Sequence, residues 1–359
     1  MSETVVPYSI DSIFRSVGVG SLDRAMADNL YGINHMQNVG MLKSNRDQQG
    51  YVFVTRPQLN LQADNIRNYP ELYPLLNEDP RSLAKAVRMV LDPRLGVGYN
   101  FRKQNASASI PPIYSTLIDN NCAFIPMITN LTKSLTGWPD EVMATKASDP
   151  GLLKQSFVVG DGTPKNYENT DLSFNVMNTA GDAVALLLHV WLHYIGAIKM
   201  KWMTPYIDSI INDRVDYFCR TYRIVLNERK THVTKIFANI YGFPTSSPTG
   251  MFADFNMDTP FSEQTKEISF RMKSVGFIAY DPRLIRSFNR TVQMFNFSMT
   301  DKYREDHMRL IPMGRLREFN HRAYPRINEF TKAMEWWVPR DNFDRSVDGE
   351  TSVGEEYEV

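Results

Sequence analysis

The stretch KEISFRMKSVGFIAYD, Lys266 to Asp281, alternates in character residue by residue. Ile268, Phe270 and Met272 fall on one parity, Ser269, Arg271 and Lys273 on the other. A period of two marks a strand between a packed core and water, because successive side chains leave a strand on opposite sides. NTDLSFNVMN, Asn169 to Asn178, repeats the pattern, with Leu172, Phe174 and Val176 set against Ser173, Asn175 and Met177. Upstream, the stretch from Lys154 opens as a further strand and runs into a turn-rich connection, with Asp161-Gly162 as its turn dipeptide. Between the two quoted stretches lie a helical segment over 180–200 and two strands, CRTYRIVLNE (219–228) and HVTKIFANIYGF (232–243), joined by a short turn. The order expected is strand, strand, helix, hairpin, strand, an α+β and mainly β class.

The helical segment contains LLLHVWLHYIG, Leu186 to Gly196, with His189 and His193 one turn apart on one face. That spacing can hold a metal, but a zincin helix places a glutamate after the first histidine as general base. Val190 stands there instead, and no spacing signals a third ligand. The expectation is therefore a core helix that turns Leu187, Val190 and Tyr194 inward and binds no functional metal. The glycine pairs in VGVGS (17–21) and LGVGYNF (95–101) match neither a P-loop nor a dinucleotide-binding fingerprint, and read as turns. No nucleophile elbow occurs, and Asp161, Asp171 and Asp254 sit in turn or strand-end contexts. No catalytic, cofactor-binding or metal-binding residue is expected.

Forty basic residues balance 40 acidic ones, which argues against a general nucleic-acid binder. The two cysteines, Cys122 and Cys219, lie far apart and fit a reducing compartment without a disulfide framework. The first residues lack a secretory pattern, and no apolar run approaches the roughly 20 residues of a membrane span. Aromatics at 12% and 18 methionines fit either a monomer or a subunit that buries its surface against neighbours.

The flanks differ in character. Residues 1–120 are rich in Pro, Asn and Arg; Tyr51 to Leu61 reads as a strand whose Pro57 suits an edge or an end. Asp79 to Pro93 reads as a short helix capped by Asp79, with Leu83, Val87 and Val90 on its apolar side. From Arg283 to Arg326 there are ten Lys or Arg against four Asp or Glu, read as a protein-binding face for an acidic partner. The end, from Arg340, carries seven acids and two arginines and is expected to be flexible.

The succession over about 155–282 resembles the tube domain of contractile-tailed bacteriophages. NTDLSFNVMN corresponds to the first strand, DAVALLLHVWLHYI to the helix, TYRIVLNERKTHVTKIFANIYGFPTSSP to the hairpin and its loop, and KEISFRMKSVGFIAYD to the closing strand. The resemblance covers roughly a third of the chain and lies in the order of elements, each of which is degenerate. It implies a tail-tube-like β-barrel with a flanking helix at 151–282, an N-terminal extension at 1–150, a basic and aromatic extension at 283–340 and an acidic tail at 341–359. It further implies Trp191 and the histidines near a subunit or domain boundary, and a ring of six copies closing a channel through which genomic DNA passes. The additions are similar to those of tube-initiator proteins, which points to a baseplate position. A repeating tube subunit, a neck or tail-end protein, or a β-rich adaptor outside the virion are the alternatives. The expected partners are the chain itself and other phage tail proteins, in a virion assembled in the bacterial cytoplasm, with no enzyme activity and no cofactor.

Overall fold

The computed structural model describes residues 46–96, 113–163 and 168–344, apart from 317, 320 and 321. Its strands, in chain order, are β1 (Gln48–Val54), β2 (Thr132–Thr136), β3 (Thr145–Ala147), β4 (Val158–Gly160), β5 (Asn169–Met177), β6 (Thr221–Leu226), β7 (Val233–Pro244), β8 (Glu267–Ala279), β9 (Met308–Leu310), β10 (Tyr324–Ile327) and β11 (Met334–Pro339). The principal helices are α1 (Leu83–Leu91), α2 (Ala183–Lys199) and α3 (Arg283–Phe295). Six strands form one antiparallel sheet in the order β1-β6-β7-β8-β5-β2. β10, β11 and β9 form a second sheet, and β3 pairs with β4 alone.

The alternating stretches fold as their period requires. Val176, Phe174 and Leu172 of β5 stand opposite Ile268, Phe270 and Met272 of β8, and all six are buried. Directly paired residues share a face, so these form one apolar surface, on which the Phe174 and Phe270 rings stack 5.1 Å apart. The α2 helix covers it with Leu187, Val190, Trp191 and Tyr194. Ser269 and Arg271, of the other parity, are exposed.

A second core, beneath α3, joins Phe53, Tyr222, Ile224 and Ile236 to Leu284, Phe288 and Val292. Phe53 belongs to this core and its neighbour Val54 to the core under α2. Adjacent strand residues point to opposite faces, so at β1 the sheet is a middle layer between two cores. Along β8 the allegiance changes: Met272 lies in the α2 core, whereas Ile278, of the same parity, packs against the α3 core. Between them lies Gly276, whose φ of +70° is a backbone state that side chains other than glycine rarely adopt. A Cβ there would also come 2.5 Å from Ile240 Cδ1. The neighbouring pair β6–β7 is irregular at the same level, since Cys219 to Tyr222 spans the same stretch of ladder as Ala238 to Gly242.

The segment between β1 and β2 forms a layer tied to the sheet by buried polar groups. The Arg56 guanidinium, wholly buried, donates to the carbonyls of Met89, Val90, Asn120 and Cys122. Met89 and Val90 belong to the last turn of α1, where helix carbonyls lack partners of their own. Burial lowers the Arg56 pKa to about 10, which leaves it charged at neutral pH. Asp92 accepts from the Leu61 N–H and the Tyr206 hydroxyl, each at 2.8 Å.

Burial lifts the Asp92 carboxyl to about 6, from 3.8. A raised carboxyl binds its proton more tightly when folded, so its contribution to stability is full below the unfolded value and fades as pH rises through about 6. Denaturant titrations of wild type and Asp92→Asn should therefore diverge: between pH 7 and pH 5 the wild type gains about 1 kcal/mol on the variant. Parallel pH profiles would refute this.

Several sequence expectations change here. No closed barrel forms among the described residues; the main sheet is open, with β1 and β2 as its edges. It takes in both of these strands from the stretch assigned to the N-terminal extension. β1 ends before Pro57, as an edge strand bounded by proline should. The α1 helix begins at Leu83 rather than after Asp79, whose carboxylate accepts from the Arg81 N–H in the preceding turn. The strand expected ahead of the Asp161-Gly162 turn is β4, which does not join the main sheet. Residues 17–21, 97–101 and 345–359, holding the first glycine stretch, most of the second and most of the acidic tail, lie outside the described residues.

Candidate functional site

The histidine pair lies on the outer side of α2. His189 and His193 are both half-buried, with ring centroids 4.1 Å apart. His193 Nδ1 meets the Glu71 carboxylate and lies 3.0 Å from the Tyr69 hydroxyl, which itself lies 2.6 Å from Glu71. The hydrogen bond from Tyr69 is the main cause holding the Glu71 carboxyl below its usual range, while burial lowers the His189 pKa. This polar cluster fastens α2 to the segment after β1, and no spacing in the sequence pointed to Glu71. No group of three or more His, Cys, Asp or Glu among the described residues is placed to hold a metal. Trp191 is not at the surface of the chain: it is fully buried, and its indole N–H donates to the Tyr217 carbonyl at 3.1 Å.

The remaining candidates have structural surroundings. Asp171 pairs with Lys273 across β5 and β8 at 3.1 Å, and the Asp161 N–H donates to the Ala144 carbonyl in the β3–β4 hairpin. Asp254 is exposed in the loop between β7 and β8. Cys122 and Cys219 are free, and burial raises both thiols above the usual range. The arginines after residue 282 mostly meet acids of their own neighbourhood. Arg326 meets Glu335 at 2.7 Å, Arg304 meets Asp301 at 2.6 Å and Arg286 meets Glu329 at 3.1 Å. The excess of positive charge is thus partly neutralised within the chain. No helix among the described residues is long and apolar enough to cross a membrane.

The surfaces without internal partners are of a different kind. β1 pairs only with β6, and β2 only with β5, so each presents an unpaired backbone edge. The sheet curls until these edges converge. At the apex the Ile125 N–H donates to the Val54 carbonyl at 2.8 Å, and the Val54 N–H to Thr129 Oγ1 at 3.3 Å. Away from the apex the edges part into a cleft of about 560 Å³, lined by Gln49 to Val52, Thr132 to Leu135 and Arg223. An open strand edge is a template for another strand unless it is blunted or covered.

Apolar side chains project nearby. The β3–β4 hairpin packs no residue into either main core and exposes Val142, Leu152, Leu153, Phe157 and Val158. The loop between β7 and β8 exposes Phe255, Met257 and Phe261, and the short helix Ile207–Ile211 exposes Ile207, Ile210 and Ile211. Apolar residues exposed together in this way are candidate surfaces for contact with other chains. The sequence held a signal for the hairpin in Asp149-Pro150-Gly151, which leads into the turn Gly151 to Lys154, but a period-two reading has no purchase on strands of three residues.

The open antiparallel sheet, its unpaired edges and the apolar projections are the main unpartnered surfaces among the described residues. Over residues 6–352 the chain matches the family described as "Putative phage tail tube protein". No curated protein matches it. Among solved structures, a similar chain is that in the cryo-EM structure of the anti-feeding prophage cap, the AFP tube terminating cap. The two are 11% identical with a TM-score of 0.27, over 44% of this chain and 81% of that one. With a family match that runs almost from end to end, the chain belongs to the phage tail tube protein family.

Proposed function

We propose that the chain is a non-enzymatic, ring-forming component of a contractile phage tail, whose copies complete one another's sheets around a channel that DNA crosses. The observation that carries this reading is the main sheet with both edges open and convergent on a cleft. Pairing of these edges with strands of neighbours satisfies the backbone groups that one chain leaves unpaired. A ring of six, with the parts outside the sheet making contacts around it, follows the resemblance seen in the sequence. Two positions compete within this reading, the tube initiator at the baseplate and the repeating tube subunit. The family match spans 6–352, so the flanking segments fall within the family pattern. That favours the repeating subunit.

The test is the particle mass of the purified protein and of a variant truncated after Arg340, by native mass spectrometry and negative-stain imaging. Both should give rings or short tubes, because the main sheet and both cores lie before Arg340. A chain that stays monomeric with every tail protein offered, and is missing from purified virions, would overturn the reading.

A further inference from the structure

A hydrolytic zinc helix needs a general base and a third protein ligand. In α2 Val190 stands in place of the base, and no three-ligand set forms among the described residues. The sequence expectation of no functional metal rests on those two absences. Reversible binding of an ion asks for less: two neutral imidazoles side by side, and a partner that fixes how a ring is turned.

Glu71 supplies that partner. Its carboxylate only accepts, and it meets His193 at Nδ1. Nδ1 of a neutral His193 therefore carries the proton, and Nε2 the lone pair that a metal takes. The Tyr69 hydroxyl gives its own proton to the same carboxylate at 2.6 Å, and its oxygen lies 3.0 Å from Nδ1, in reach of that N–H. A carboxylate behind a histidine in this way orients the ring and makes it a better ligand.

His189 stands one turn earlier on the same face, its ring centre 4.1 Å from that of His193. Two imidazoles on one ion, at metal–nitrogen distances of about 2.0–2.1 Å, hold their ring centres roughly 5 Å apart. The pair needs to part by only about 1 Å to reach that spacing. The titratable groups acting on His189 and Glu71 are Tyr69, His193 and each other, with no lysine or arginine to oppose an incoming cation. Burial holds His189 below its ordinary pKa and so keeps it neutral at pH 7.

We propose that His189 and His193 bind one divalent transition-metal ion through their ring nitrogens, with Glu71 orienting His193 from behind and water filling the remaining positions. Imidazole suits zinc, nickel and copper, whereas magnesium and calcium take oxygen ligands. The ion bridges one turn of α2 and, through Glu71 and Tyr69, strengthens the tie between that helix and the segment Pro70–Leu76. The site lies within one chain and does not depend on how copies assemble.

Binding of nickel(II) and zinc(II) to the full-length protein, by calorimetry in a non-chelating buffer, tests this. One site per chain is expected, lost in His189→Gln and in His193→Gln with the circular dichroism unchanged. Glu71→Ala should weaken binding by about tenfold or more, and Glu71→Gln, which still accepts from Nδ1, should recover part of it. Moving from about pH 7.5 to about pH 5.5 should weaken it by at least about tenfold, because a protonated imidazole has no lone pair to give. Excess magnesium should not compete. A second measurement needs no variant: zinc(II) should protect His189 and His193 of the wild type from acylation by diethyl pyrocarbonate, mapped by mass spectrometry, and leave His232 and His307 reactive. A wild type that binds neither ion, binding that persists in the double variant His189→Gln with His193→Gln, or acylation of the pair unaffected by zinc(II) would each overturn the site.

Discussion

Phe270→Asp is expected to yield no folded protein. Phe270 is 2% exposed and stacks on Phe174 at the centre of the β5–β8 apolar face, under α2. The substitution removes an aromatic side chain, at a cost of about 3–5 kcal/mol for its loss alone. It also places a carboxylate in an apolar interior, for several kcal/mol more, roughly. The sum matches or exceeds the entire stability of a typical domain, about 5–15 kcal/mol. Two companions isolate the cause. Arg271→Asp, one residue along on the exposed side, should change stability by about 0.5 kcal/mol or less. Phe270→Leu keeps the face apolar and should fold with a loss of about 1–2 kcal/mol. Soluble, cooperatively unfolding Phe270→Asp would show that this face is not the core.

The second large effect is expected at Arg56. Its guanidinium gathers four backbone carbonyls, two from the last turn of α1 and two from the turn that leads into Phe124. Arg56→Met fills much of the same space but donates nothing, leaving those carbonyls without this partner in a dry interior. At about 1–3 kcal/mol for each buried group left unsatisfied, and with partial relaxation, a loss of about 4 kcal/mol follows. Arg56→Lys should recover part of it, because an ammonium keeps the charge but lacks the planar fork that reaches several acceptors at once. Urea unfolding of the three proteins checks the ranking, and equal midpoints for wild type and Arg56→Met would contradict it.

The parts of this fold that were legible in the sequence are those governed by local period. β5, β8 and the β6–β7 hairpin are long and half-buried, so their alternation is a direct record of which side faces a core. The α2 helix was readable from its apolar run, and the burial of Leu187, Val190 and Tyr194 follows from their shared face. What was not legible depends on partners distant in the chain. β1 finds its place beside β6 through long-range pairing that no local pattern encodes, and β2 likewise beside β5. Trp191 went inward because the Tyr217 carbonyl was there to receive its N–H, a partner invisible from the helix alone. Glu71 met His193 for the same reason, since the fold brings together segments with no spacing in common. The hairpin's exposed leucines show a different limit: an apolar residue in a sequence does not announce whether its own chain or another will cover it.

Cryo-imaging of assembled particles, resolved finely enough to trace backbone, tests the central claim most directly. If copies complete one another's sheets, the edge residues Gln49 to Val52 and Thr132 to Thr136 will each be hydrogen-bonded to a strand of an adjacent copy, and the sheets will run without interruption around a channel. Particles in which both edges still face solvent, with copies held only through side chains elsewhere, would contradict it.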